Sequence, residues 1–198
     1  MNKTIEYYEE NAERYIEETV DANFSGVQNR FAAVLPQDAY VLDFGCGSGR
    51  DTKFFLKNGF RVDATDGSAK MCEIATKNVG IQVRQMMFSD LDEQEKYDGI
   101  WACSSILHLP KKDLISVFKK MLHAIKPGGC IYTSFKFGEF EGYGNGRYFT
   151  DFTSESFRRE FGDFEGIDII EEWLSADVRP GRGDEKWLNL ILKKSGTV

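Results

Sequence analysis

The sequence predicts an α/β fold with a doubly wound, mostly parallel sheet whose last two strands form an antiparallel hairpin. Two observations support this prediction. Between residues 40 and 137, short apolar runs alternate with segments of helical periodicity, a pattern typical of consecutive βαβ units. After residue 166, two strand-like runs are joined by a connection that is too short for a crossover helix, so we expect them to pair antiparallel.

The elements follow from apolar periodicity and from the residues that end each run. Two helices are expected first, at 5–20 and 25–34. Five strands follow at 40–45, 60–65, 81–86, 97–104 and 130–137, with helices at 50–58, 71–77 and 113–125. We expect Gly59 to follow the end of the first of these helices, and Pro127-Gly128-Gly129 to stop the last. The final elements are a helix at 154–161, capped by Thr153 or Ser154, and strands at 167–174 and 187–194.

Composition excludes several classes of protein. The chain has 198 residues, a size that fits one domain, and 41% of them are hydrophobic, which excludes a disordered chain. Twenty-five basic against 32 acidic residues give a net charge of −7, which argues against binding to a nucleic-acid backbone. The four cysteines form no CxxC pair, so we expect no metal site. Without a signal-peptide pattern or a membrane-spanning apolar run, we expect a cytoplasmic monomer or homodimer.

The strongest motif is the glycine loop Asp43-Phe44-Gly45-Cys46-Gly47-Ser48-Gly49, directly after the first expected strand. Glycines at a strand-to-helix turn let a ligand approach the backbone and expose amide donors. The spacing is GxGxG rather than the GxGxxG of dinucleotide sites, and Asp43 would repel a pyrophosphate. A ligand that carries an ammonium and a sulfonium and no phosphate fits better, which favours S-adenosylmethionine over a nicotinamide cofactor.

Two further acids follow later strands. Asp66 ends the second strand, where a carboxylate can bind both hydroxyls of an adenosine ribose. Asp90 follows the third strand and can accept a hydrogen bond from an adenine amino group, with Met87 and Phe88 flanking the ring; Asp92 is a nearby alternative.

These motifs, in order, resemble a known family. VLDFGCGSGRD, VDATDGS, FSDL, YDGIWACSSILHL and LHAIKPGG are similar to the class I S-adenosylmethionine-dependent methyltransferases, in particular to small stand-alone type 11/12 and tellurite-resistance-like members. The resemblance covers residues 40–137 closely. It implies a Rossmann-like sheet of seven strands, with S-adenosyl-L-methionine as cofactor and S-adenosyl-L-homocysteine as product.

The resemblance also implies roles for individual residues. Gly45 and Gly47 would line the methionine portion of the cofactor, and Asp43 would order the loop. Cys103 and Ser104 would border the transferring methyl group. The full expected cofactor set is Asp43, Gly45, Cys46, Gly47, Asp66, Gly67, Ser68, Asp90, Leu91, Cys103, Ser104 and, from the N-terminal helix, Tyr15.

The flanking segments supply candidates for the acceptor side. Residues 1–35 are expected to form a helical lid over the cofactor-binding core of 40–137, with 138–198 on the acceptor side. His108 is a candidate general base, although packing beside the cofactor explains it equally well. The candidate acceptor-binding residues are Tyr8, Arg147, Tyr148 and Arg182, for which core packing and solvated surface charge are the alternative interpretations.

The predicted function is methyl transfer to a small-molecule acceptor by in-line displacement. Methylation of a tRNA base or a protein side chain is one alternative, and a module that binds the cofactor without catalysis is another. A nicotinamide oxidoreductase is disfavoured by Asp43 and the glycine spacing.

Overall fold

The computed structural model describes residues 2–162, 164–179 and 181–195. Within them the chain forms six helices and nine strands. The helices are α1 (Lys3–Thr19), α2 (Ser25–Ala33), α3 (Arg50–Lys57), α4 (Ala69–Val79), α5 (Lys111–Ala124) and α6 (Ser154–Phe161). The strands are β1 (Tyr40–Phe44), β2 (Arg61–Asp66), β3 (Val83–Gln85), β4 (Tyr97–Ala102), β5 (Ile125–Lys136), β6 (Glu141–Gly144), β7 (Arg147–Thr150), β8 (Ile167–Ala176) and β9 (Lys186–Lys194).

Seven strands form one sheet in the order β3-β2-β1-β4-β5-β9-β8. The first five are parallel, and β9 pairs antiparallel with both β5 and β8, which confirms the predicted sheet and its C-terminal hairpin. The strand order reverses between β1 and β4. In such sheets, ligands bind at this reversal, outside the carboxyl ends of the strands.

Helices cover both faces of the sheet. On one face, α5 and α6 pack their apolar residues on the central strands, with Phe118, Phe135 and Phe157 fully buried. On the other face, Phe31 of α2 and Phe55 of α3 pack around Trp101, which stacks on Tyr132 with ring centroids 4.0 Å apart. These two layers hold the carboxyl ends of β1, β2 and β4 in fixed positions.

Local capping explains where several helices begin. Asn2 accepts a hydrogen bond from the Thr4 amide at the start of α1, and Ser68 accepts one from the Met71 amide at the start of α4. The predicted cap of α6 is confirmed, because Thr153 and Ser156 form a reciprocal capping box.

The prediction that Pro127-Gly128-Gly129 stops α5 was wrong. The helix ends at Ala124, and Ile125 already has extended backbone angles and begins β5. Pro127-Gly128-Gly129 therefore lies inside the strand, at an irregularity in its pairing with β4.

The strands β6 and β7 were not predicted. They form a separate two-stranded hairpin after β5, joined by Asn145 and Gly146, which both have positive φ. The hairpin packs against the turn at Ile106–His108, where the Thr150 hydroxyl donates to the Leu109 carbonyl at 2.7 Å. It also contacts α1, since the Tyr148 amide donates to the Thr4 hydroxyl at 2.9 Å.

Candidate cofactor and acceptor site

One cavity of about 430 Å³ lies at the carboxyl ends of the central strands. Its wall includes the glycine loop after β1, the end of β2, the segments after β3 and β4, and residues of α1. At the far side the wall is completed by Arg147, Trp187 and Asn189. The cavity thus lies where the strand order reverses, and its size is within the roughly 300–1,000 Å³ of small-molecule sites.

The glycine loop is fixed by backbone bonds to β2. The amides of Gly45 and Cys46 both donate to the carbonyl of Thr65, at 2.9 and 2.8 Å. Gly45 has φ +88°, and a Cβ placed there would lie 2.5 Å from the Cβ of Ser105. Only glycine therefore lets the loop pass this close to the segment after β4, which keeps the loop backbone at the cavity wall.

Asp66 joins the loop to the end of β2. Its carboxylate accepts hydrogen bonds from the amides of Gly47, at 2.9 Å, and Ser68, at 3.0 Å. Burial raises the pKa of Asp66. Asp66 lies on the cavity wall, and each of its oxygens has a second lone pair that can accept a ligand hydroxyl. The structure therefore brings Asp66 and Gly67 together with Gly45 and Gly47 at the cavity wall.

Asp43 lies behind the loop rather than on the cavity wall. It is only 2% exposed, and the Thr52 hydroxyl donates to its Oδ2 at 2.5 Å. Burial, and then the neighbouring carboxylate of Asp51, raise the pKa of Asp43. Its contacts orient the first turn of α3 below the loop. Ser68 is likewise buried and caps α4 without reaching the cavity wall.

The acid on the cavity wall beside the loop is Asp51, which the sequence analysis missed. Arg50 donates to both of its oxygens, at 2.8 and 2.9 Å, and Gln28 and Trp101 donate at 2.6 and 2.8 Å. Burial alone would raise the pKa of Asp51, but these donors outweigh it and hold the pKa below its usual value. The adjacent Arg-Asp pair immediately after the glycine loop was the available signal.

The segment after β3 does not place Asp90 as expected. Its turn, Phe88–Asp90, brings Met87 and Phe88 to the cavity wall and leaves Asp90 exposed, with the Ser89 hydroxyl bonded to it at 3.1 Å. Leu91 is buried in the core, away from the cavity wall. This part of the cavity is therefore lined by thioether and aromatic groups.

The end of β4 lies next to the loop. Cys103 and Ser104 both line the cavity, and Ser104, with φ +50°, donates its amide to the Ser134 hydroxyl at 2.9 Å. Burial raises the pKa of Cys103 to about 12 and also raises that of Cys46. Both thiols are therefore neutral at pH 7, which supports a packing role and argues against nucleophilic attack.

The helix α1 covers the cavity from above. Tyr8 and Tyr15 face it with ring centroids 5.2 Å apart, and both line the wall. The first turn of α1 is held by the bond from Tyr148 to Thr4, and the Glu9 carboxylate accepts the amide of Ala69 at 2.5 Å. The helix is thus attached to both β7 and the N-terminus of α4.

His108 is bound through both ring nitrogens. Nδ1 lies 2.6 Å from the carbonyl oxygen of Tyr148, and Nε2 lies 2.9 Å from the hydroxyl of Tyr8. A carbonyl only accepts, so Nδ1 carries the proton and Nε2 accepts the proton of Tyr8. Burial lowers the pKa of His108 to about 4, so the ring is neutral at pH 7. In this arrangement neither nitrogen is available to an acceptor molecule.

The predicted acceptor residues lie on the cavity wall, with one exception. Tyr8, Arg147 and Arg182 line it. The Tyr148 side chain does not; its hydroxyl donates to Glu141 at 3.0 Å, and only its backbone contributes to the site. Two further residues of this end, Arg179 and Asp177, form a bidentate ion pair.

Comparisons with known proteins agree with this geometry. Residues 41–129 match the family model described as a methyltransferase domain. The chain is 30% identical over 118 residues to the putative methyltransferase YqeM of Bacillus subtilis (strain 168), and 32% identical over 99 residues to alpha N-terminal protein methyltransferase 1 of Caenorhabditis elegans. These matches cover 54% and 46% of this chain. The chain spans less than half of either relative, 48% and 42% of their lengths.

Among solved structures, a similar fold occurs in the Burkholderia thailandensis 1,6-didemethyltoxoflavin-N1-methyltransferase with bound S-adenosylhomocysteine. The TM-score is 0.75 at 22% identity, and the match covers 96% of this chain and 85% of that one. The domain match over residues 41–129 and the fold shared with that structure are those of class I S-adenosylmethionine-dependent methyltransferases.

The residues of the cavity fit S-adenosyl-L-methionine, the cofactor of this class of methyltransferases. The close passage of the loop at Gly45 leaves backbone rather than side chain facing the cavity. Asp66 is an acceptor for hydroxyls, and Met87 and Phe88 offer an apolar surface to an aromatic base. Within residues 2–162, 164–179 and 181–195, no group of three His, Cys, Asp or Glu side chains is arranged to hold a metal ion. In the same residues no helix is long and apolar enough to span a bilayer.

Proposed function

We propose that this chain transfers a methyl group from S-adenosylmethionine to a small-molecule acceptor. The observation that carries the proposal is that one continuous cavity is lined both by the glycine loop and Asp66 and, at a second end, by Arg147 and Trp187. Cys103 and Ser104 follow β4, which lies in the sheet between β1 on one side and β5 and β9 on the other. A cofactor at one end and an acceptor at the other would meet there.

The cofactor would be held by the residues nearest the reversal of strand order. Asp66 would accept the ribose hydroxyls, the backbone of Gly45 and Gly47 would face the methionine portion, and Met87 and Phe88 would flank the adenine. The cofactor supplies a sulfonium methyl group with a good leaving group. The protein contributes alignment and exclusion of water, which together can account for roughly 7–11 kcal/mol of the barrier.

The position of α1 over the cavity favours a small molecule as the methyl acceptor. Tyr8 and Tyr15 line the cavity on the side of α1, and the helix is bonded to both flanking elements. A folded protein or an RNA would have to insert one residue or base beneath this helix. The acceptor would therefore be enclosed between α1, the β6–β7 hairpin and the end of β5.

The role that we assign to His108 is positioning rather than base catalysis. Its Nε2 accepts from Tyr8 and its Nδ1 donates to Tyr148, so it fixes Tyr8 over the cavity while the cavity is closed. Methyl transfer to sulfur or to a neutral amine needs little help from a base, which is consistent with this assignment.

The cofactor assignment is tested by Asp66→Ala and Asp66→Asn. Losing hydrogen bonds to a charged acceptor costs about 1.5–3 kcal/mol, so we expect affinity for S-adenosylhomocysteine to fall at least tenfold by calorimetry. The exposed Asp21→Ala is the matched control and should bind as the wild type does. Unchanged affinity in both Asp66 variants, with normal melting, would contradict the assignment.

The acceptor class is tested by methyl transfer from labelled cofactor. The wild-type chain is incubated with a small-metabolite extract, with total RNA and with a protein extract, each from the same cells. Label in the metabolite fraction is expected. Label confined to RNA or protein would favour a macromolecular acceptor, and cofactor binding without transfer to any fraction would favour a non-catalytic module.

A further inference from the structure

The acceptor end of the cavity concentrates basic side chains in an acidic protein. The chain carries a net charge of −7, yet Lys136, Arg147, Arg179 and Arg182 all line this end. Arg179 is neutralised by Asp177. Lys136 and Arg182 share one carboxylate, Glu185, at 2.9 and 3.9 Å respectively. Three of the four cations are therefore paired, and they share two carboxylates.

Arg147 is the cation without a carboxylate. In the part of the chain that the structure describes, no acidic oxygen lies within 4.0 Å of its guanidinium. Its one polar contact is a long bond of 3.4 Å from Nη1 to the Tyr8 hydroxyl. Its Nε is buried and has no acceptor. The rings of Tyr7 and Phe149 lie 4.6 and 5.1 Å from the guanidinium carbon.

The other carboxylates of the cavity wall are hydrogen-bonded to other groups or lie away from the guanidinium of Arg147. Asp51 is bound by Arg50, and Asp66 by backbone amides. Asp113 is exposed at the start of α5. No nearby carboxylate of the described chain thus satisfies Arg147.

Leaving such a cation uncompensated is costly. A half-buried guanidinium has lost part of its hydration, and a cation–π contact returns only about 0.5–2 kcal/mol. A carboxylate or phosphate group that contacts the terminal Nη atoms offers two parallel charge-assisted hydrogen bonds and restores the charge balance. The position of Arg147 at the cavity wall, beside Tyr8, makes that anion a ligand of the cavity.

We propose that the methyl acceptor carries an oxyanion, a carboxylate or a phosphate, which Arg147 binds. The inference rests on the proposed function, since it names the class of acceptor that the same cavity takes. Lys136 and Arg182 add to the positive potential at this end, and Phe149 and Trp187 offer apolar surface to the rest of the acceptor.

The test uses three probes that share one ring: benzoate, phenyl phosphate and the neutral benzamide. Binding to the full chain is measured by calorimetry in the presence of saturating S-adenosylhomocysteine. At least one of the two anions is expected to bind at least tenfold more tightly than benzamide. Which anion binds more tightly distinguishes a carboxylate acceptor from a phosphate.

The variants are Arg147→Met, Arg147→Lys and the control Arg158→Met, an exposed arginine of α6 paired with Glu172. Arg147→Met should weaken anion binding at least tenfold. Arg147→Lys should fall between it and the wild type, because lysine keeps the charge but loses the planar pair of donors. Arg158→Met should bind the anions as the wild type does.

The outcomes separate this inference from the proposed function. Equal anion binding by Arg147→Met and the wild type, or benzamide binding as tight as that of both anions, would overturn the anion subsite. Normal binding of S-adenosylhomocysteine by all variants leaves the cofactor assignment intact in that case. Failure of the wild type to bind S-adenosylhomocysteine would instead overturn the proposed function, and anion binding to the chain alone would then decide the subsite.

Discussion

Replacing Gly45 by alanine tests whether the close passage of the glycine loop forms the cofactor end of the cavity. The added Cβ would lie 2.5 Å from the Cβ of Ser105, a separation that requires a shift of backbone or neighbour. The Ser105 hydroxyl also donates to the carbonyl of Phe44 at 2.6 Å, so Ser105 cannot retreat without straining that bond. The loop itself must therefore move.

The expected cost follows from these contacts. A non-glycine residue in the left-handed region costs about 1–2 kcal/mol. Overpacking adds about 1–3 kcal/mol. The sum is about 2–5 kcal/mol, which for a chain of this size lowers the melting temperature by roughly 4–20 °C.

A matched substitution separates backbone strain from steric overlap. Gly80 has φ +76°, close to the +88° of Gly45, but its added Cβ would have no atom within 4 Å. Gly80→Ala should therefore cost only about 1–2 kcal/mol and leave cofactor affinity unchanged. Gly45→Ala should cost more and weaken S-adenosylhomocysteine binding at least tenfold, because the loop amides move.

The assay is thermal unfolding together with calorimetric titration of S-adenosylhomocysteine. A double variant, Gly45→Ala with Ser105→Gly, removes the overlapping Cβ and should recover most of the affinity lost in Gly45→Ala. The reasoning is refuted if Gly45→Ala binds as tightly as Gly80→Ala, or if removing the side chain of Ser105 restores nothing.

Three further predictions concern the lid and the buried charges. Tyr8→Phe should cost about 1 kcal/mol and speed amide exchange in α1, whereas the exposed Tyr143→Phe should change neither. The pKa of His108 is about 4 in the folded chain, against an ordinary value of 6.5 for histidine. The unfolded chain therefore binds more protons between these values, and this group should cost the wild type about 3 kcal/mol of stability as pH falls from 6.5 to 4. Denaturant unfolding across that range should show the loss, and His108→Asn should lack it. Asp51→Asn leaves the guanidinium of Arg50 without its anion and should lower stability by about 3 kcal/mol in chemical denaturation, with an unchanged Cm as the contrary result.

The central sheet and the position of the glycine loop were predictable because their signals are local. A βαβ unit spans about thirty residues, and the spacing of apolar runs, glycines and Asp66 lies within one such unit. The parallel order and the C-terminal hairpin then follow from the lengths of the connections. The structure confirms these features.

The features that were missed depend on distant partners or on a single turn. Asp51 is engaged by Gln28 and Trp101, which lie 23 and 50 residues away in the chain, so the local Arg50-Asp51 pair alone does not reveal these partners. At the end of β3, one 3₁₀ turn decides that Met87 rather than Asp90 meets the cavity. Apolar periodicity does not specify such a turn.

The sequence does contain a local signal for the turn of the β6–β7 hairpin. Its strands have four residues each, too few to show alternation. However, Asn145-Gly146 is the dipeptide that favours a type I′ hairpin turn, and both residues have positive φ in the structure. Recognising it would have placed Arg147 on a strand facing the rest of the site.

The bond between Thr4 and Tyr148 has a consequence for how the protein is made. The two residues are 144 positions apart, so α1 is synthesised long before the hairpin that receives it. Until residue 148 emerges, the buried face of α1, which includes Ala12 and Ile16, has only part of its docking surface. Ala12 and Ile16 can pack against Met71 of α4 before then, but the docking of α1 is complete only after the β6–β7 hairpin has formed. A nascent chain can form the glycine loop first, and it encloses the cavity only after the β6–β7 hairpin and the start of β9 have been made.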